Sequence, residues 1–577
     1  MNLPTMKTSV LSRIGLRRGV PTVLAIVATL ALVSSAQAAT YTWTGSGTSN
    51  NWFTDATAFT SDNFSSSPLV SSLTTTDLVF AGSTQPSSLF NLTRDVSGTS
   101  APGTSFSARS LTFNTSVPFT ITGTGLGTNR PLNIGLGGID NQVALKQTWK
   151  QASTNSPGAL RITNSGTTPI HVVSGGELDL NARFASFGAG VFVEKTGAGT
   201  LTFSNLNSLA LDNLIVSSGT VNSITSNLNA RVSADVRGGV LNVFVSNYEP
   251  LSTGSSSYYR QSAGVANLRN GISTASFDLT GGTFNSGDVG LNWGGQIASK
   301  TTISGGTFNH AGPAGGGVYF TPFSDQGGFS TVAPTVTITG GVQNFGAGVF
   351  DASSDAGPAV VVSGGVSTGF YDTEGVTNNG GSITFTAKAS NAPATNGVGL
   401  GPGPGLLTFT SGTVSIGTVA GGATAIGSLK NTTNTFLGAG NTLNLDFNQD
   451  LTRDLLITSG TLNWGGNVAL NLTNLGEVAN GSSWNFFNDP VLGNTGAFAG
   501  TLSGISLTAS SIYNGLTFSK SGSLWTSTAT GGGQQFTFNE TTGVLAVVPE
   551  PSSIAAAGIG LAMLGWRRLA LRRRAAA

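Results

Sequence analysis

Short strand-like segments separated by glycine turns make up most of the chain. Within each segment apolar and Thr-rich positions alternate with polar ones, which predicts a β-strand with one buried face. Glycine supplies the positive φ or the close approach that a tight turn needs. Ten such strand–turn–strand units are VSGGELDL (173–180), VSSGTVNS (216–223), VRGGVLNV (236–243), LTGGTFNS (279–286), ISGGTFNH (303–310), ITGGVQNF (338–345), VSGGVSTG (362–369), NNGGSITF (378–385), FTSGTVSI (409–416) and ITSGTLNW (457–464).

The spacing of these turns indicates a stack of rungs. The last glycines of successive turns are 43, 20, 43, 24, 35, 24, 16, 31 and 48 positions apart, and several of these spacings are near 20–24 or twice that. This is the length of one rung of a parallel β-solenoid in which some turns are unrecognised. A single rung cannot bury its inward face, so rungs must stack. A set of antiparallel β-sandwiches is the alternative.

The amino-acid composition further narrows the class of protein. The 577 residues include 82 Gly and no Cys, and only 9% are charged. Without cysteine, disulfides and thiolate chemistry are excluded. The patterned 38% apolar content argues against disorder. When the two terminal segments described next are set aside, 17 basic and 24 acidic residues remain, a net charge of −7. An acidic body without a basic block does not favour nucleic-acid binding.

The first 38 residues predict a secretory signal peptide with a short apolar helix. Four basic residues, the last of them Arg18, precede an apolar stretch at 21–33. Ala36 and Ala38 then form a small-x-small cleavage site. We therefore expect the mature chain to begin near Ala39.

The last 29 residues combine three features in a fixed order. Pro549-Glu550-Pro551 precedes an apolar run at 552–566, whose helix reaches about 22 Å, short of the ~30 Å hydrocarbon core. Positive charge beyond an apolar helix stays on the cytoplasmic side. An apolar helix that is barely long enough to cross the bilayer suits a temporary membrane anchor. A permanent membrane anchor is the alternative interpretation. The charge comes from Arg567, Arg568, Arg572, Arg573 and Arg574.

This C-terminal arrangement resembles the PEP-CTERM protein-sorting signal of Gram-negative bacteria. The resemblance implies recognition by an exosortase-type membrane protease and transient anchoring of the apolar helix in the inner membrane. It also implies delivery to the cell surface or outer membrane, or to the extracellular matrix.

A second stretch, 191–223, carries a different resemblance. It looks like the autotransporter-associated β-strand repeat, which implies a right-handed β-helical stalk and no activity. The matching positions are Lys195, Thr196, Gly197, Gly199, Thr200, Leu201, Gly219, Thr220 and Val221.

We expect an all-β protein, a right-handed parallel β-solenoid with terminal β-regions and a short apolar helix at each end. The predicted regions are a signal peptide at 1–38, an N-terminal β-region and cap at 39–160, solenoid repeats at 161–420, a C-terminal β-region at 421–548 and the sorting signal at 549–577. Trp43 and Trp52 are expected to cap the first rung. The C-terminal β-region is expected to close the last one, because an open edge is an aggregation template.

Few residues in the sequence are candidates for catalysis or metal binding. His171 and His310 are expected to be exposed polar residues rather than ligands, and without Cys no zinc ligand set is available. The Gly-rich segments 123–127 and 135–140 lie among predicted strands rather than before a helix, so phosphate binding is not expected. We predict no catalytic residues, no metal site and no cofactor.

Two groups of carboxylates keep an enzyme alternative open. Asp351 and Asp355 share a predicted loop, and Asp446, Asp450 and Asp454 lie near Arg453. Converging carboxylates would suit a β-helical carbohydrate-active enzyme, a polysaccharide lyase or hydrolase. The second group would also suit a calcium loop. Solvated loop charge is the interpretation we favour for both.

Taken together, these observations predict an exported, non-enzymatic structural or adhesin-like protein. Its expected partners, besides the exosortase-type protease and the inner membrane, are extracellular polysaccharide or neighbouring surface proteins, and no nucleic acid.

Overall fold

The structure is a computed structural model that describes residues 38–575 with gaps. The residues left out of this range are 48–49, 54–58, 60, 82–86, 91–104, 124–130, 152–158, 187–189, 205–208, 225–227, 245–250, 253–257, 269–271, 275, 287–295, 298–299, 311–318, 321–334, 345–358, 371–374, 386–397, 400–406, 418, 421–422, 425, 432–433, 473–476, 491–492, 509–511, 531–532 and 550. The signal-peptide helix and Ala36 lie outside the described residues, whereas Ala38 directly precedes the first strand.

Parallel strands, stacked rung on rung, form most of the molecule. In the part of the chain that the structure describes, 63% of the residues lie in strands and 4% in helix. Successive rungs pair in parallel and in register, as where Asn242 lies between Asn222 and Asn267. The predicted parallel β-solenoid is confirmed, and antiparallel sandwiches are wrong for this stack.

Each rung contributes a strand before the glycine turn, and these strands form the pre-turn sheet. Its members are Ala39–Trp43, Ser72–Phe80, Phe106–Phe113, Leu132–Asn141, Gly166–Val172, Val191–Thr196, Leu209–Val216, Leu228–Val236, Tyr258–Gln261, Ser276–Leu279, Lys300–Ile303, Thr335–Ile338, Ala359–Val362, Gly375–Phe385, Leu407–Ile416, Thr435–Phe447, Thr461–Trp464 and Ala497–Gly500. Three of the long strands, Gly375–Phe385, Leu407–Ile416 and Thr435–Phe447, continue through the turn into the next sheet.

The strands after the turn form the post-turn sheet. They are Ser87–Phe90, Thr120–Gly123, Lys146–Gln151, Glu177–Asn181, Thr200–Phe203, Thr220–Ser223, Val240–Val243, Val265–Leu268, Thr283–Ser286, Thr307–His310, Val342–Asn344, Val366–Phe370, Asn467–Leu472 and Gly504–Thr508.

The connection back to the next pre-turn strand carries a third, shorter set of parallel pairings, the return sheet. Its separate strands are Leu160–Ile162, Phe184–Ser186, Leu251–Ser252, Ile272–Ser273, Gln296–Ile297, Tyr319–Phe320, Val398–Gly399, Ser428–Asn431 and Leu455–Thr458. Two small antiparallel hairpins are Val419–Ala420 with Ala423–Thr424 and Asn488–Asp489 with Gly493–Asn494.

Stacked glycines mark the corner between the pre-turn and post-turn sheets. Gly306 has a φ of 73°, and a Cβ there would lie 2.7 Å from the carbonyl oxygen of Gly282 in the preceding rung. A side chain is therefore excluded by backbone conformation and by the adjacent rung together. The column with this conformation includes Gly219, Gly239, Gly264, Gly282, Gly306, Gly341 and Gly365.

The same column explains the irregular turn spacing of the sequence. Each 43-residue interval contains one additional rung, whose turn includes Gly197 in the first case and Gly264 in the second. The last interval, from Gly412 to Gly460, is an exception. Gly460 lies at a different corner, between the return-sheet strand Leu455–Thr458 and the pre-turn strand Thr461–Trp464. Gly466 instead packs beside Asn441 at the corner of the column.

Alternation along the strands separates an apolar interior from a polar exterior. In Thr283–Ser286, for example, Phe284 is fully buried and Asn285 is half-buried on the outer side. An asparagine ladder runs along that outer side, each side-chain amide donating to the Oδ1 of the preceding rung at 2.7–2.9 Å. The ladder consists of Asn222, Asn242, Asn267, Asn285 and Asn309.

Aromatic side chains fill the N-terminal end of the stack. Trp43 and Trp52 are buried, and the indole N–H of Trp52 donates to the Ser88 hydroxyl at 3.0 Å. Phe64 forms an antiparallel bridge with Trp43, and its ring lies edge-on to that indole at 5.3 Å. The segment around Phe64 therefore covers the otherwise open edge of the first strand.

A five-stranded antiparallel sheet adjoins the other end of the stack, and we call it the C-terminal sheet. In spatial order its strands are Ser483–Asn485, Val544–Pro549, Gln534–Asn539, Leu524–Ser527 and Phe518–Ser521. Buried Glu540 joins it to the stack, because its backbone carbonyl accepts from the Trp464 indole at 2.9 Å and its carboxylate from the backbone N–H of Leu502 at 3.2 Å. Helix α1 (Pro551–Ala575) follows.

Parallel pairing runs from Ala39 to Thr508, so it extends on both sides of 161–420. The predicted region limits stay predictions.

Replacing Gly306 tests the glycine corner. Gly306→Ala should lower the urea midpoint, measured by circular dichroism, more than Gly522→Ala does. Both positions have positive φ, but a Cβ at Gly522 would meet nothing within 4 Å. Both substitutions should lower the free energy of unfolding because alanine disfavours a positive φ. At Gly306 the steric clash should lower it by about 1–3 kcal/mol more. Equal effects of the two substitutions would contradict the proposed packing.

Candidate functional site at the C-terminal junction

The Pro-Glu-Pro tripeptide lies where the last strand meets the helix. Pro549 ends strand Val544–Pro549, which pairs on one side with Ser483–Asn485 and on the other with Gln534–Asn539. Pro551 begins α1, a position where its missing N–H leaves no helical hydrogen bond unmade. Glu550 lies outside the described residues. The junction therefore joins a strand whose last residue pairs with Gln534 to a helix through a single residue.

A buried polar network holds the residue opposite Pro549. Gln534, only 5% exposed, donates through its amide to the Val478 carbonyl at 2.8 Å and to Asn480 Oδ1 at 3.0 Å. Its Oε1 accepts from the Tyr513 hydroxyl at 3.0 Å, and that hydroxyl accepts from the Val478 N–H at 2.7 Å. Burial raises the pKa of Tyr513. We call these four residues the Gln534 network.

The apolar side chains of helix α1 are exposed. Leu561 is 71% exposed and Trp566 80% exposed, and Arg567 and Arg568 are also exposed. The side chains of residues 572–574 lie outside the described part of the chain. Across the described part of the chain, no helix combines the length and apolarity needed to span a membrane, and the predicted transmembrane helix is not confirmed.

The two histidines have different environments. His310 is only 4% exposed, and its Nδ1 lies 3.1 Å from the Ser286 hydroxyl in the preceding rung. The expectation of an exposed His310 is wrong, because strand alternation continues to the last residue and turns this ring inward. His171 is half-buried, with Nδ1 3.2 Å from the Thr196 hydroxyl. Among the described residues, no cluster of three or more His, Asp or Glu side chains is arranged to hold a metal.

The carboxylates of the 446–454 group do not converge on one groove. Asp454 is fully buried, and its two oxygens accept from the backbone N–H groups of Gly427 at 2.8 Å and Asp446 at 2.7 Å. Burial raises the pKa of Asp454 to about 8, despite these two bonds. Asp450 is exposed, and hydrogen bonds from Thr452 lower its pKa. The Asp454 carboxylate is therefore bonded to two backbone N–H groups, whereas the Asp450 carboxylate faces solvent.

The remaining members of this group also have backbone or amide partners. Asp446 accepts from the Asn471 amide at 2.9 Å, and burial raises its pKa. Arg453 donates through Nε to the carbonyl of Asn485. Asp351 and Asp355 lie outside the described residues, as does most of the Gly-rich segment 123–127; segment 135–140 is part of strand Leu132–Asn141.

Lys195 links two rungs from inside the stack. Its side chain is fully buried, and Nζ donates to the carbonyls of Thr196 at 2.6 Å, Gly197 at 2.8 Å and, in the next rung, Ser218 at 3.3 Å. Burial lowers the pKa of Lys195 to about 8. The sequence gives Lys195 as a motif position but does not reveal this role, because one acceptor lies 23 residues away.

Comparison with known proteins identifies one match. The model of the PEP-CTERM protein-sorting motif matches residues 547–574. No curated protein and no solved structure matches the chain. The motif implies an exported protein, transiently anchored in a membrane and processed by an exosortase-type membrane protease. The resemblance of 191–223 to the autotransporter-associated repeat stays a prediction.

The buried lysine should give the stack a distinctive pH dependence. The unfolded chain, with an ordinary lysine pKa of 10.5, binds the proton more tightly than the folded chain with a pKa of about 8. The free energy of unfolding should therefore rise between these pH values, on the order of 3 kcal/mol, relative to Lys195→Met. Urea unfolding across this range measures the difference.

Lys300→Met, at an exposed position of the same sheet, is the matched control and should follow the wild-type curve. Parallel curves for wild type and Lys195→Met would show that the buried amine does not titrate in this way.

Proposed function

We propose that this protein is an exported structural or adhesin-like component of the cell surface, the outer membrane or the extracellular matrix of a Gram-negative bacterium. The observation that carries the proposal is the sorting motif at 547–574, which begins in the last strand of the C-terminal sheet that adjoins the parallel β-stack. The predicted signal peptide at 1–38 supports export. The protein would present its rungs as an elongated surface and be released from the inner membrane by processing.

The outer chemistry of the stack supports contact with neutral partners. Along the post-turn sheet, the asparagine ladder lies beside outward Thr220, Thr283 and Thr307. Hydroxyl and amide groups that repeat from rung to rung favour many weak contacts at once, with extracellular polysaccharide or with neighbouring surface proteins. The resemblance of 191–223 to a right-handed β-helical stalk agrees with such a role.

A non-enzymatic role is part of the proposal. It is supported by the separate environments of Asp450, which faces solvent, and Asp454, which is committed to two backbone N–H groups. A glycosidase or lyase needs its carboxylates in one groove with the substrate. The arrangement at 446–454 does not favour the carbohydrate-active alternative.

Processing at the junction predicts the mass of the exported protein. Intact mass spectrometry of surface and medium fractions should find a chain that lacks Arg567–Arg574 and begins near Ala39. Replacing Pro549 and Pro551 by Ala should leave the tail attached, because the recognition sequence is lost. Lys300→Ala, at an exposed position of the stack, is the control and should be processed normally. An intact arginine tail on the exported wild type would refute the proposal.

If the protein is not an enzyme, polysaccharides should remain uncleaved in its presence. Purified mature protein incubated with a panel of neutral and acidic polysaccharides should produce neither new reducing ends nor unsaturated ends. Its binding to the same panel, measured by sedimentation with the insoluble members, should be weak and increase when the protein is multimerised. Accumulation of either kind of new end would favour the enzyme alternative.

A further inference from the structure

We propose that the Gln534 network gates the sorting step by holding the first residues of the motif inside the C-terminal sheet. The protease would then act on molecules in which the end of the last strand has detached. This inference rests on the proposed function, since it concerns the rate of the processing described there. Three observations carry it: the pairing of the strand, the short connection to the helix and the buried network opposite Pro549.

The start of the motif is part of the folded body. The matched residues begin at 547, two residues before the strand ends. Val547 is only 1% exposed, and its backbone N–H and carbonyl are bonded to Ser482 and Gly481, both at 2.9 Å. On the opposite side Val547 pairs with Phe536. The recognition sequence therefore begins at a strand residue that is bonded on one side and paired on the other, and it continues through Val548 and Pro549, which pair with Gln535 and Gln534.

The connection to the helix is too short to supply a free segment. Only Glu550 separates Pro549, at the end of the strand, from Pro551, at the start of α1. One extended residue spans at most about 3.6 Å. A protease that reads several residues in extended form must obtain them by detaching the strand end or unwinding the helix. Cleavage of a locally opened chain follows the population of the open form when opening is fast.

The Gln534 network acts on the strand end through the segment that bonds to Val547. The buried amide of Gln534 fixes Val478 and Asn480, which directly precede Gly481 and Ser482, the two residues bonded to the Val547 backbone. Gln534 itself lies opposite Pro549, while its backbone N–H donates to the Thr530 hydroxyl at 3.1 Å. Removing the Tyr513 hydroxyl would leave the Gln534 Oε1 and the Val478 N–H without this partner. Unsatisfied buried groups destabilise the closed form, which should raise the open population about tenfold.

A reversible lock tests the gate directly. Gln535 and Val548 are opposite each other and half-buried on the outer side of the sheet, and the chain has no native Cys. Gln535→Cys with Val548→Cys should form a disulfide that fixes the strand end. In pulse-chase of the full chain in cells that process the wild type, loss of the tail should slow about tenfold or more. Adding a reductant should restore the wild-type rate.

A matched disulfide elsewhere in the sheet controls for the bond itself. Ser519 and Thr526 are paired in the same way at the far edge of the C-terminal sheet. Ser519→Cys with Thr526→Cys should be processed at the wild-type rate, whether oxidised or reduced. A locked junction that is also processed at the wild-type rate would overturn the gate.

Tyr513→Phe tests the opposite direction. It should speed loss of the tail about tenfold, while Tyr258→Phe, in the middle of the stack, should leave the rate unchanged. An unchanged rate for a folded Tyr513→Phe protein would overturn the role of the network. If this variant does not fold, the lock still decides. A wild type that never loses its tail would refute the proposed function as well, whereas a processed wild type with an ineffective lock refutes the gate alone.

Discussion

The close approach of one rung's backbone to the next at the glycine corner is the constraint on which the structure depends. A Cβ at Gly365 would lie 2.6 Å from the carbonyl oxygen of Gly341, so only glycine permits the stacking distance of parallel strands at this corner. Fixed corners set the register, because a slip of one residue would turn every side chain to the other face. The apolar interior, the asparagine ladder and the contacts of Lys195 with two successive rungs all require that register.

Stacking creates two edges, and the protein covers them differently. At the N-terminal end, the segment around Phe64 covers the edge of the first strand, and the Phe64 ring packs against Trp43 and Trp52. At the C-terminal end, an antiparallel sheet adjoins the last rungs through Glu540, and its strand Val544–Pro549 leads into the sorting helix. The residues that complete the fold and the residues that direct sorting therefore overlap at 547–549. The gate proposed above would couple the folding of this end to the processing of the protein through the shared strand.

The sequence predicted the strand–turn–strand unit and parallel stacking, because both follow from local alternation and glycine. The list of glycine turns left out those at Gly197 and Gly264, and only the repeat resemblance of 191–223 pointed to the first of them. The inward position of His310 was missed because its polarity outweighed its place in the strand alternation. The Tyr513–Gln534 contact could not be predicted, because the two side chains are 21 residues apart and meet only when the sheet has formed.

Cysteine cross-linking across rungs tests parallel, in-register stacking most directly. Asn242 and Asn267 are register partners in neighbouring rungs, and strands about 4.8 Å apart place their Cα atoms within the range of a disulfide. Asn222 and Asn267 are two rungs apart, roughly 9.6 Å, which is beyond that range. Under mild oxidation, Asn242→Cys with Asn267→Cys should cross-link within one chain, and Asn222→Cys with Asn267→Cys should not. Efficient cross-linking of the second pair, or none of the first, would contradict the β-solenoid.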